Sequence, residues 1–132
     1  MDQINWIAAL VAGVLGFFPG ALWYSNLMFL KPWQADMGIS GNEGGGISMA
    51  TRLVSGLILS IIAAVVFAFL LGPEPALHPS LLKAVAVALG VITTSFGIQY
   101  LFEGRTVRVT AINGGYHLVQ FAIFAVVLGL WH

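Results

Sequence analysis

Residues 105–120 read RTVRVTAINGGYHLVQ and carry the side chains best suited to chemistry in this chain. Thr106, Thr110, Asn113, His117 and Gln120 recur at steps of four, three, four and three, which on a helix is one stripe of one face. Imidazole exchanges protons near neutral pH, so His117 is the candidate acid or base and the principal hydrogen-bonding group. Asn113 and Tyr116 are expected to orient a ligand or the imidazole, with Gln120 extending the binding stripe. Gly114 and Gly115 lie beside the stripe and leave room for a ligand or a second helix.

A complement lies just upstream. Gln99 and Glu103 are four apart on one helical face, and Thr93, Gly97 and Tyr100 form a neighbouring stripe. Glu103, the second candidate catalytic group, and Arg105 are expected to form a charged lid or proton route at the mouth of a pocket. Trp23 and Tyr24 would supply an aromatic wall, Tyr100 a further ligand contact, and Arg52 begins the next apolar stretch at the same depth. Each residue also has a plainer reading. Trp23, Tyr24, Trp33 and Tyr100 could form an interfacial aromatic belt. Glu103 could pair with Arg105 or Arg108 at the surface, and Asn113 and Gln120 could be hydrogen-bonding glue between helices. His117 is the hardest to explain that way, because an ionisable group inside a membrane is a functional-site candidate by default.

The elements that must position these groups follow from composition. The 132 residues are 59% hydrophobic and 8% charged, with a mean hydropathy of +0.96. Soluble domains carry roughly 25% charged residues, so this chain reads as an integral membrane protein. Four apolar stretches are long enough to span a bilayer, which takes ~20 helical residues: residues 5–29, 49–71, 81–102 and 107–131. The expected fold class is all-α, a single four-transmembrane-helix bundle. The first stretch lacks a basic n-region and is expected to be retained rather than cleaved.

Residues 30–48 read as a glycine-rich loop, GPEPALHP at 72–79 as a proline-punctuated turn, and EGRT at 103–106 as the turn of an antiparallel helical hairpin. Lys31, Arg52, Arg105 and Arg108 lie on one side and Lys83 on the other. The positive-inside rule then makes loops 30–48 and 103–106 cytoplasmic and both termini external, the expected setting being a bacterial inner membrane. Ala8, Ala12, Gly16 and Gly20, beside Ala9 and Gly13, form small-residue seams, as do Gly56, Ser60 and Ala64. Packing within the chain is the favoured use of these seams, with a homodimer face as the alternative. Pro19 is expected to kink the first helix. Gly20–Trp23 and Gly97–Tyr100 share a G-x-x-aromatic pattern, compatible with two parallel hairpins.

Several classes are excluded or weakened. Net charge is zero, so nothing argues for nucleic acid as a partner. The absence of cysteine removes thiol catalysis and cysteine metal sites. One intramembrane histidine with no acid or second histidine at i+3 or i+4 makes a poor metal site, and nothing beyond that single histidine supports haem. No cofactor is expected.

The blocks NWIAALVAG, GALWYSNLMFLKPW and FEGRTVRVTAINGGYHLV together resemble the DUF1761 family of small four-span membrane proteins, whose function is not established. The resemblance covers nearly the whole chain. It falls on Asn5 and Trp6; on Gly20, Trp23, Tyr24, Ser25, Lys31 and Trp33; and on Phe102, Glu103, Gly104, Arg105, Asn113, Gly115, Tyr116 and His117. Asn26 stands where the family pattern implies proline. The resemblance implies a fold and a set of site residues, but no reaction and no substrate.

The leading expectation is an intramembrane pocket that binds, or performs acid–base chemistry on, a small lipophilic molecule or membrane lipid. A proton-coupled transporter working as a homodimer is the runner-up. The third reading is an accessory subunit of a larger membrane complex, with the stripe merely pairing helices.

Overall fold

Short polar side chains set where three of the helices begin. In the computed structural model, which describes residues 4–23, 30–37 and 48–131, Asn5 Oδ1 accepts from the Ala8 N–H at 2.9 Å and opens α1 (Trp6–Trp23). Ser48 Oγ accepts from the Thr51 N–H at 3.1 Å and opens α3 (Met49–Leu71). Thr106 Oγ1 accepts from the Val109 N–H at 3.2 Å and opens the last helix, α5 (Val107–Leu130). Each satisfies an N–H that has no carbonyl a turn earlier to meet it. Thr106 is therefore a cap, and the polar stripe of α5 starts at Thr110.

Two connections differ from expectation. The 30–48 segment contains a short helix, α2 (Leu30–Met37), because LKPWQADM carries proline only in the first turn, where its missing donor costs nothing. For the same reason Pro79 does not hold the next helix back. It sits in the first turn of α4 (Leu77–Glu103), which starts four residues before the expected position 81. The expected first span of residues 5–29 is helical over Trp6–Trp23, and residues 24–29 lie outside the described residues.

By length and composition α3 (as Ala50–Leu71), α4 and α5 are long and apolar enough to cross a membrane, and the apolar part of α1, Trp6–Gly20, is shorter. The outward surface fits a multi-pass membrane protein. Leu59, Leu101 and Phe102 are 65%, 74% and 90% exposed, in a chain with too few charges to cover such a surface in water.

Neighbouring helices run antiparallel. Gly13 of α1 lies against Ile61 and Gly56 of α3 against Phe17; Gly16 meets Phe124 and Gly20 meets Tyr116 on α5. On the other flank of α5, Gly129 lies against Leu77, Gly114 against Thr93 and Gly97 against Thr110. The small-residue seams of α1 are thus used inside one chain, for α3 and α5. Phe67, Phe121 and Phe124 cluster with ring centroids 4.9–6.3 Å apart, among the buried Ala8, Ala12, Ala64 and Ala125.

Two backbone irregularities shape the seams. Pro19 lies within α1 and deprives the Leu15 carbonyl of its helical donor. Residues Ala88–Thr93 of α4 form a π-helical turn, in which Thr93 Oγ1 donates to the Ala88 carbonyl at 2.7 Å and Thr94 Oγ1 to the Gly90 carbonyl at 2.9 Å. Hydroxyls bonding back to these carbonyls favour the wider turn.

Candidate functional site

The polar stripe of α5 divides between two flanks. Toward α4, Asn113 Nδ2 donates to Tyr100 Oη at 2.8 Å, and the His117 ring stands 5.8 Å from that of Phe96. Toward α1 and α3, the buried Gln120 donates through Nε2 to Ser60 Oγ at 3.2 Å, and Ser60 Oγ donates to the Gly13 carbonyl at 2.7 Å. Tyr116, next to the stripe, points its hydroxyl at the Gly16 carbonyl, 3.4 Å away. Buried polar groups need such partners, and here helix carbonyls of the glycine-rich, proline-interrupted α1 supply two of them.

His117 is half-buried, between Phe96 and Tyr116, whose ring lies 5.1 Å away. Its Nδ1 is 2.8 Å from Gln120 Oε1. No described residue meets Nε2. His117 thus keeps one ring nitrogen without a hydrogen-bond partner among the described residues.

Trp23 closes the stripe from the α1 side. Its Nε1–H donates to the Ile112 carbonyl at 2.7 Å, and its ring lies so close to Gly115 that a Cβ there would fall 2.7 Å from Trp23 Cζ2. Gly114 plays the same part toward α4, where a Cβ would fall 2.7 Å from Thr93 Oγ1. Both glycines admit a helix, so the space beside the stripe at these two positions is filled by the protein itself.

Glu103 and Arg105 sit at the α4–α5 turn. Glu103 is exposed, accepts from Gln99 Nε2 at 2.9 Å and pairs with Arg105 Nε at 3.4 Å. Gly104 adopts φ +74°, and the N–H groups of Gly104 and Arg105 bond the carbonyls of Leu101 and Tyr100 at 3.2 and 2.8 Å. This closure needs a left-handed residue, which glycine supplies without a Cβ penalty. It reverses the chain within three residues and so brings Tyr100 alongside Asn113. The charged pair lies at the rim, where Glu103 meets both Arg105 and Gln99. Arg52 is exposed at the first turn of α3. Tyr24, the second half of the expected aromatic wall, lies outside the described residues.

Two contributors escaped sequence reasoning. Ser60 looked like one member of a small-residue seam, yet its hydroxyl joins Gln120 to α1; a hydroxyl in the middle of an apolar run was the available signal. Phe96 had none, being one apolar residue among many. The short G-x-x-aromatic pattern has a structural counterpart. Gly20 and Gly97 each face a side chain of α5, while Trp23 and Tyr100 each bond it, at Ile112 and Asn113. The two parallel helices α1 and α4 thus clasp α5 from opposite flanks at adjacent residues.

A separate pocket opens at the other end of the bundle, between Asn5, Ala68, Gly72, Leu128 and Trp131, remote from His117. Among the described residues no group of three or more His, Asp or Glu side chains is placed to hold a metal ion. No curated protein and no solved structure matches the chain. A family model does, over residues 7–129, which include every polar residue of the stripe, all of α4 and all but the first residue of α1. The chain belongs to DUF1761, a family of proteins of unknown function.

Proposed function

We propose that this protein is a four-span membrane protein whose α1 crosses the bilayer with α3, α4 and α5, and that His117 marks a site for a small lipophilic molecule. The observation that carries the reading is the placement of His117. It lies ten residues into α5, roughly 15 Å along its axis and so near the middle of a ~30 Å hydrocarbon core. Its ring stands between two aromatic rings, with one nitrogen held and the other without a partner among the described residues. A half-buried imidazole nitrogen flanked by the rings of Phe96 and Tyr116 suits a lipophile with a single polar head. In this reading Asn113, Tyr116 and Gln120 build the walls and Tyr100 and Trp23 hold them. Glu103 and Arg105 stand at the cytoplasmic rim, on the side that carries Lys31, Arg52 and Arg108.

Mass spectrometry of small molecules that co-purify with the protein in detergent tests this. Wild type is expected to retain a lipophilic molecule that His117→Gln loses with its helices intact. Equal retention by both proteins would remove the site.

A second reading, a helix-pairing seam in an accessory subunit, draws on the bonds Asn113–Tyr100 and Gln120–Ser60, which hold helices together without any ligand. It predicts that Asn113→Leu disrupts helix packing and that gentle extraction recovers a stoichiometric partner protein.

A further inference from the structure

The hydrogen bonds leading away from His117 have a direction, and it can be read from their far end. Ser60 Oγ lies 2.7 Å from the Gly13 carbonyl oxygen. A carbonyl cannot donate, so the serine proton lies between those two oxygens. Toward Gln120, 3.2 Å away, Ser60 Oγ can then only accept, which turns the amide nitrogen to the serine and Oε1 to His117. Oε1 carries no proton and lies 2.8 Å from Nδ1, so Nδ1 must be the donor. A neutral imidazole protonated at Nδ1 has a bare lone pair at Nε2, the nitrogen that no described residue meets.

We infer that Gln120 and Ser60 are positioning residues that hold neutral His117 as its Nδ1–H tautomer, so that Nε2 accepts a hydrogen bond or a proton from a lipophile headed by an O–H or N–H group. The inference rests on the site reading above and adds the ligand's chemical class. The histidine side chain in water favours the opposite, Nε2–H tautomer, so the bonded chain reverses an intrinsic preference. A ligand headed only by an ether or a ketone oxygen meets a second acceptor at Nε2 and gains nothing there.

The chain reaches from α5 through α3 to the backbone of α1, so the tautomer depends on three helices being in register. Ser60 and Gln120 are 3% and 5% exposed, which keeps water from competing for the same bonds.

Nitrogen-15 NMR of histidine-labelled protein in micelles, at alkaline pH where imidazole is neutral, reads the tautomer directly. The His117 signals are those missing from His117→Gln. Wild type is expected to show a protonated Nδ1 and a bare Nε2. Gln120→Leu is expected to shift the ring toward Nε2–H, Ser60→Ala to do so partly, and Gln120→Glu, which keeps an acceptor at Nδ1, to leave it unchanged. A wild-type ring protonated at Nε2, or an unaltered tautomer in folded Gln120→Leu, overturns the positioning role. Should the variants fail to fold, the wild-type spectrum alone decides.

Phenol and its methyl ether, anisole, test the ligand class. Phenol is expected to move the Nε2 resonance and anisole to leave it in place; equal responses, or none to either, overturn the class. An Nε2–H ring in a protein whose bound molecule still depends on His117 would defeat this inference and leave the site reading standing.

Discussion

The indole N–H of Trp23 reaches across to the backbone carbonyl of Ile112, 2.7 Å away, and its ring fills the place where Gly115 has no side chain. One tryptophan thereby fixes both the height and the distance of α1 relative to α5, at Ile112 and Gly115, the residues preceding Asn113 and Tyr116. Trp23→Phe removes both the bond and the indole edge that packs on Gly115. Interhelical bonds of this kind contribute about 0.5–1.5 kcal/mol in membrane proteins, and a loss larger than that, from the added cavity, is expected in reversible unfolding in mixed micelles.

The glycines of the seams differ in what an added methyl would meet. A Cβ on Gly13 would fall 2.5 Å from the Ile61 Cα, which is backbone, whereas one on Gly20 would fall 3.2 Å from the Tyr116 ring. Gly13→Ala is expected to destabilise by about 1–3 kcal/mol or more and Gly20→Ala by less, since a ring edge can yield. Gly90 has open space around it, so Gly90→Ala is expected to be tolerated. Thermal stability of the three variants in one detergent gives the ranking.

Asn113 and Tyr100 join α5 to α4 through one side-chain bond of 2.8 Å. A double-mutant cycle with Asn113→Ala and Tyr100→Phe is expected to return a coupling of about 0.5–1.5 kcal/mol. Additive effects would mean that the bond contributes nothing to pairing the hairpin.

At the α4–α5 turn, geometry outweighs charge. Arg105 and Glu103 pair at 3.4 Å with both side chains partly exposed, a type of contact worth roughly 0–1 kcal/mol. Glu103→Gln is expected to leave stability nearly unchanged. Gly104 sits at φ +74°, and Gly104→Ala is expected to cost about 1–2 kcal/mol for placing a Cβ in the left-handed region. Unfolding midpoints of the two variants separate the effects.

Much of this protein was legible in the sequence because it follows from local chemistry. Apolar runs longer than a bilayer is thick read as helices whatever their neighbours. The short EGRT turn implies an antiparallel hairpin, and Gly104 closes it because a three-residue reversal needs a left-handed position; Thr106, which spacing groups with the stripe, is instead the cap of α5. The spacing of Thr110, Asn113, His117 and Gln120 puts them on one face by helical geometry alone.

The tertiary structure decided which partner each side chain meets. Trp23 bonds a backbone carbonyl, and every residue has one, so no residue type announces Ile112 as the acceptor. Gly114 and Gly115 leave room by sequence for a ligand or a second helix, and Thr93 and Trp23 of neighbouring helices occupy it. The π-helical turn at Ala88–Thr93 depends on hydroxyls returning to particular carbonyls, a choice that propensity does not make. The direction of the chain from His117 to Gly13 required three helices in register, since only the fixed end at a carbonyl orients the amide between them. Sequence alone determined that a histidine would lie on the polar face of an apolar helix. Packing determined which of its two nitrogens is held and which is left for chemistry.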